Sequence, residues 1–127
     1  MKKLKKLIEN FISAFLKKLN EYYTAYYEKA DKNGFPYLVV PTISLRPLNA
    51  GYTTLVDIEI YNNELSTISC EEIADNLKSN LDGFVYNDPN IAFYLGFDGA
   101  YLGGTNEQDL SMKKLTYEVR IFEKGGI

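Results

Sequence analysis

KKLKKLIENFISAFLKKLNEYYTAYYEK (residues 2–29) is the stretch whose reading decides the fold. It fits a cationic membrane-surface helix, a secretion signal or one wall of a folded core. On a helix at about 100° per residue, Leu4, Leu7, Ile8, Phe11, Ile12, Phe15, Leu16, Leu19, Tyr22, Tyr23 and Tyr26 share one side. Lys6, Ser13, Lys17, Asn20 and Thr24 share the other. A signal needs an unbroken apolar run of roughly 7–15 residues followed by small residues. Glu9, Asn10 and Ser13 break the run, and Lys17, Lys18 and Asn20 follow it. No window approaches the roughly 20 apolar residues of a membrane span. The apolar stripe continues through tyrosines beyond the lysines, and a small sheet needs a cover for its apolar face, so a core helix is the better account. It is expected to run over residues 2–30, about 40 Å, and to stop in DKNGFP, where Gly34 takes a left-handed turn and Pro36 forbids continuation.

Outward from that helix, YLVVPTISL (37–45) is β-branched, with Pro41 favouring an edge or a bulge. Thr53 to Tyr61 alternates, with Thr54, Val56, Ile58 and Ile60 on one face and Leu55, Asp57, Glu59 and Tyr61 on the other. Ser69 and Glu72 form a capping box opening a helix over 70–82, with apolar Ile73, Leu77 and Leu81. IAFYLGF (91–97) is a strand, DGAYLGGTNEQDLS (98–111) reads as a long loop, and KLTYEVRIFE (114–123) closes the chain with Leu115, Tyr117, Val119 and Ile121 inward. The expected class is α+β. It is one two-layer domain over 1–127 in the order α-β-β-α-β-β: a mainly antiparallel four-stranded sheet, from strand pairs over 37–61 and 91–123, with the long N-terminal and the shorter second helix on one face.

Composition narrows the chemistry. The 127 residues contain no His and one Cys, Cys70, which removes His-dependent catalysis, His-bearing zinc sites and intrachain disulfides. Residues 1–19 carry six Lys against one Glu, and the remainder eight bases against 16 acids. The acidic body lacks the basic, aromatic-lined face that nucleic acid requires. Asp57 and Glu59 share a strand face and are the candidate cation ligands or acid–base pair, but a solvated strand face with charges against wrong pairing is the better account. Glu71, Glu72 and Asp75 are explained by the helix N-terminus. The glycines of GFDGAYLGG match no phosphate-loop spacing, and DKNG lacks the remaining calcium-loop positions. No catalytic, metal or cofactor residue is expected.

The long amphipathic helix, FPYLVVP, TTLVDIEIYN, SCEEIADNLKSNLDG, NDPNIAFYLGF, the glycine-bearing loop and LTYEVRIFEK together resemble the tail terminator and tail completion proteins of tailed bacteriophages over nearly the whole chain. The resemblance implies a structural, non-enzymatic virion protein at the head-proximal end of the tail, made in the host cytoplasm. It would assemble as a homo-oligomeric ring, commonly a hexamer, that ends tube growth and joins tail tube to head or neck connector, DNA passing through the lumen. No membrane and no sequence-specific nucleic acid enter this role. The expected contact residues are Tyr61, Tyr94 and Phe122 on the outward sheet face, Asp98, Tyr101, Glu107 and Asp109 of the 98–111 loop, and Leu16 and Tyr23 on the lysine-bordered edge of the first helix. The competing expectation is a peripheral membrane or protein-interaction module using the basic helix.

Overall fold

The computed structural model describes residues 2–30, 34–63, 68–103 and 110–124. Helix α1 (Lys2–Leu19) and helix α2 (Cys70–Leu81) lie with strands β1 (Ala25–Tyr27), β2 (Tyr37–Val40), β3 (Arg46–Pro47), β4 (Tyr52–Asn63), β5 (Val85–Asn87), β6 (Ile91–Gly103) and β7 (Leu110–Glu123). The class is α+β, as expected. The sheet is larger than four strands and is mixed, in the order β1-β2-β4-β7-β6-β5 with β3 against β4; β1 and β2 run parallel and the other pairs antiparallel.

The first correction concerns the long helix, which ends at Leu19 rather than near residue 30. Asn20 terminates it. The Asn20 amides of backbone and side chain both donate to the Leu16 carbonyl at 2.8 Å, and the Asn20 side-chain carbonyl accepts from the Ala25 amide at 3.1 Å. The chain turns there, and Thr24 already offers its carbonyl to the Leu38 amide at 2.8 Å. Backbone groups that a helix would have satisfied internally are satisfied by β2 instead. Glu28 leaves β1 in the left-handed region at φ 73°. Of the expected stop DKNGFP, residues 31–33 lie outside the described residues.

The second correction concerns the 98–111 loop. Residues 98–103 continue β6 and residues 110–111 begin β7, paired from Gly99↔Thr116 to Gly103↔Met112 with a bulge between Phe97 and Gly99. Gly96, Gly99 and Gly103 lower strand propensity without forbidding a strand whose partner, β7, is held by β4 along twelve residue pairs. Residues 104–109 lie outside the described residues. The remaining strands also depart from expectation: β2 stops at Val40 before Pro41, β4 runs two residues past Tyr61, and β1, β3 and β5 are additional.

The second helix follows its sequence closely. Ser69 accepts the Glu72 amide at 3.1 Å, Asp82 returns its amide to the Lys78 carbonyl, and Gly83 takes φ 76°. Both helices cover one face of the sheet. Val56, Ile58, Ile60, Leu115, Tyr117, Val119, Ile121, Ile91, Phe93 and Leu95 form its buried floor. Phe11 stacks on Phe15 with centroids 5.3 Å apart and meets Phe93 edge-on at 4.8 Å. Leu7, Phe11, Phe15 and Leu19 are buried, each stabilising the fold by about 1.5–3 kcal/mol.

Candidate functional site

The face of the sheet turned away from the helices has no second layer among the described residues. Alternation along β4 and β7 sends Thr53, Leu55, Asp57, Glu59 and Tyr61 outward opposite Arg120, Glu118, Thr116, Lys114 and Met112. Phe35, Leu55, Val85 and Tyr94 are the large hydrophobic side chains left exposed among the residues whose side chains are described, and all four belong to this face.

At one end the face is aromatic. Tyr37 of β2 stacks on Tyr61 of β4 at 5.2 Å, with Phe35 at 5.5 Å and Tyr26 at 6.2 Å from Tyr37. The Tyr61 hydroxyl donates to Glu59 at 3.0 Å, and burial followed by that carboxylate pushes its pKa up to about 12. Next come the charges. Thr116 donates to Asp57 at 2.7 Å, and the Lys114 ammonium stands 3.5 Å from the other Asp57 oxygen. Asp57 and Glu59 are thus each held by neighbouring side chains, and no group of three His, Cys, Asp or Glu among the described residues is arranged to hold a metal ion.

Beyond the charges an open cleft of about 550 Å³ runs between the 42–46 segment and the strands. Leu55 is 58% exposed there, Asp98 and Glu118 stand on one side, and Thr42, Ser44 and Arg46 line the other. Gly96, opposite Glu118, adds no side chain, so the surface stays open. At the far end Tyr94 stacks on Phe122 at 6.4 Å beside Val85, which is 68% exposed.

The sequence-expected contact residues therefore separate into groups. Tyr61, Tyr94 and Phe122 do share the outer face, but Tyr61 and Tyr94 lie opposite Met112 and Arg120, eight residues and roughly 26 Å apart along β7. Asp98, at the bulge, joins the cleft. Tyr101 is known by its backbone register opposite Lys114, and Glu107 and Asp109 lie outside the described residues. Leu16 and Tyr23 are in the helix layer, across the sheet from the rest; both are half-buried, and the Tyr23 hydroxyl accepts from Asn76 at 3.1 Å. Leu55 and Val85 were not among the expected contacts. Leu55 already stood on the polar face of the alternation as its one aliphatic residue, which was the available signal.

The other candidate groups are structurally employed. Cys70 is buried with its sulfur 3.4 Å from the Ser111 hydroxyl, Glu71 pairs with Lys113 at 2.7 Å, and Glu72 completes the cap. No helix among the described residues is long and apolar enough to cross a membrane. Comparison with protein-family models and with curated proteins gives no match for this chain.

Proposed function

We propose that the chain is a structural protein of a tailed-phage or prophage virion, of the tail terminator or completion type, forming a ring that caps the tail tube and joins it to the head or neck. The reading rests on the resemblance of sequence texture given above; the strands β1, β3 and β5 extend the element order read there. The observation that supports it best is the uncovered sheet face, which carries the exposed Phe35, Leu55, Val85 and Tyr94. Apolar surface concentrated on one side of a small protein suits contact with another protein surface. Asp57 and Glu59, the best candidates for chemistry, are engaged by Thr116, Lys114 and Tyr61 in a way that suits a structural face.

The peripheral-membrane alternative draws less support, because Leu7, Phe11, Phe15 and Leu19 of the basic helix are already inside the protein's own core. Native mass spectrometry and negative-stain imaging of the purified protein test the proposal. A closed ring is expected, and phage tails from a strain lacking the protein should be overlong or headless. A strictly monomeric protein whose loss leaves tails normal overturns it.

A further inference from the structure

We infer that, in the ring proposed above, the basic face of α1 from one copy seats against the Leu55 cleft of the next copy. The inference rests on that ring and adds which surfaces meet. The cleft combines an exposed aliphatic floor with two exposed carboxylates, Asp98 and Glu118, neither of which forms an ion pair among the described residues. On α1, Lys5, Lys6 and Lys17 are exposed and likewise form no ion pair among the described residues; Lys6 and Lys17 share the side turned away from the apolar stripe, and Lys5 flanks the half-buried Ile8. The cleft thus offers an aliphatic floor bordered by negative charge, and the helix a positively charged face of exposed lysines. The minor charges match as well, since Arg46 borders the cleft and Glu9 lies one turn along the helix from Lys5 and Lys6.

One copy cannot join its own two surfaces. The helices cover the inner face of the sheet and the cleft opens on the outer face, so the β4–β7–β6 layer stands between them. Complementary surfaces that cannot meet within a molecule are satisfied by a neighbour. A contact between two different patches propagates from copy to copy and ends only when the rotation closes, which is the geometry of a ring. The charge distribution favours the encounter, with six Lys against one Glu over residues 1–19 and 16 acids against eight bases over the rest. Attraction of this kind speeds association and fixes orientation, and it weakens as salt screens it.

Zero-length carbodiimide cross-linking of an equal mixture of isotope-labelled and unlabelled full-length protein, read by mass spectrometry, tests the contact. The expected products join Lys5 or Lys6 of one isotope to Asp98 or Glu118 of the other. Charge exchange supplies the second arm. Glu118→Lys alone, or Lys5→Glu with Lys6→Glu, should raise the concentration for half-assembly about ten-fold or more, and combining all three should largely restore it. The substituted residues are all exposed, and circular dichroism checks that each variant is folded. Rings whose cross-links lie elsewhere and that ignore the charge exchange overturn this contact and leave the ring standing. Protein that forms no oligomer at any concentration, at low salt as well, overturns this contact, and tails that stay normal in its absence remove the ring too.

Discussion

Asn20 ties the end of α1 to the start of β1 by accepting the Ala25 amide at 3.1 Å on its side-chain carbonyl, while its side-chain amide donates to the Leu16 carbonyl at 2.8 Å. One side chain thus closes the helix and launches the parallel strand. Asn20→Ala removes both bonds, and a bond of this kind is worth about 0.5–1.5 kcal/mol net. The expected loss is about 1–2 kcal/mol in urea unfolding, with the m-value unchanged. A variant as stable as the parent would show that the tyrosine turn holds itself.

That junction also shows why part of the fold was legible and part was not. Tyr22, Tyr23, Tyr26 and Tyr27 recur at helical spacing, but tyrosine is equally at home in a strand, so periodicity could not separate the two. The deciding residue was an asparagine, ordinary as a polar helix position and informative only once its side chain is seen to bind backbone on both sides. β4 and β7 were readable because one of their faces is buried and the other wet. The Ser69 cap was readable because its pattern is local. The continuation of β6 through Gly96, Gly99 and Gly103 depends on β7 as a partner, which no window of sequence contains. The outer-face residues Tyr61, Tyr94 and Phe122 followed from alternation, whereas Val85 needed β5, a three-residue strand, to be seen first.

Gly51 and Gly83 share a left-handed backbone and differ in their surroundings. A Cβ on Gly51, at φ 79°, would meet the Ile121 carbonyl oxygen at 2.5 Å and the Phe122 ring at 2.9 Å; one on Gly83, at φ 76°, would meet nothing within 4 Å. Gly83→Ala carries only the backbone cost, about 1–2 kcal/mol. Gly51→Ala adds displacement of a β7 carbonyl, and its total should exceed about 3 kcal/mol. Thermal melts of the two variants measure the difference, and equal losses would mean that the 48–51 turn yields freely.

Tyr61 gives the pH dependence a sign. Its folded pKa is raised from 10.0 to about 12 by burial and by the Glu59 carboxylate. The stability linked to it is therefore complete below pH 10 and is lost as the pH rises from about 10 toward 12. Tyrosinate absorbance should show Tyr61 ionising above the ordinary tyrosine range, and Glu59→Gln should bring its titration earlier. At the acid end Asp88 behaves oppositely. The Tyr86 hydroxyl, followed by the Ile91 and Asn90 amides, lowers its pKa, so its contribution is present above the ordinary aspartate range and fades as the pH falls below it. Asp88→Asn should flatten the acid limb of the stability curve.

Leu55 and Val56 are neighbours in sequence that face opposite sides of one strand, and they separate folding from assembly. Val56 is buried in the core, and Val56→Asp places an unpaired charge there, which a domain of ordinary stability cannot absorb. Leu55 is 58% exposed in the open cleft, so Leu55→Asp should change the melting temperature by little. It nevertheless puts a third carboxylate beside Asp98 and Glu118 and removes the aliphatic floor. If the parent assembles into the proposed ring, the expected Leu55→Asp protein is folded and monomeric under the same conditions, by circular dichroism and native mass spectrometry. A Leu55→Asp protein that assembles like the parent would place the ring contact away from this face, even if the ring itself is sound.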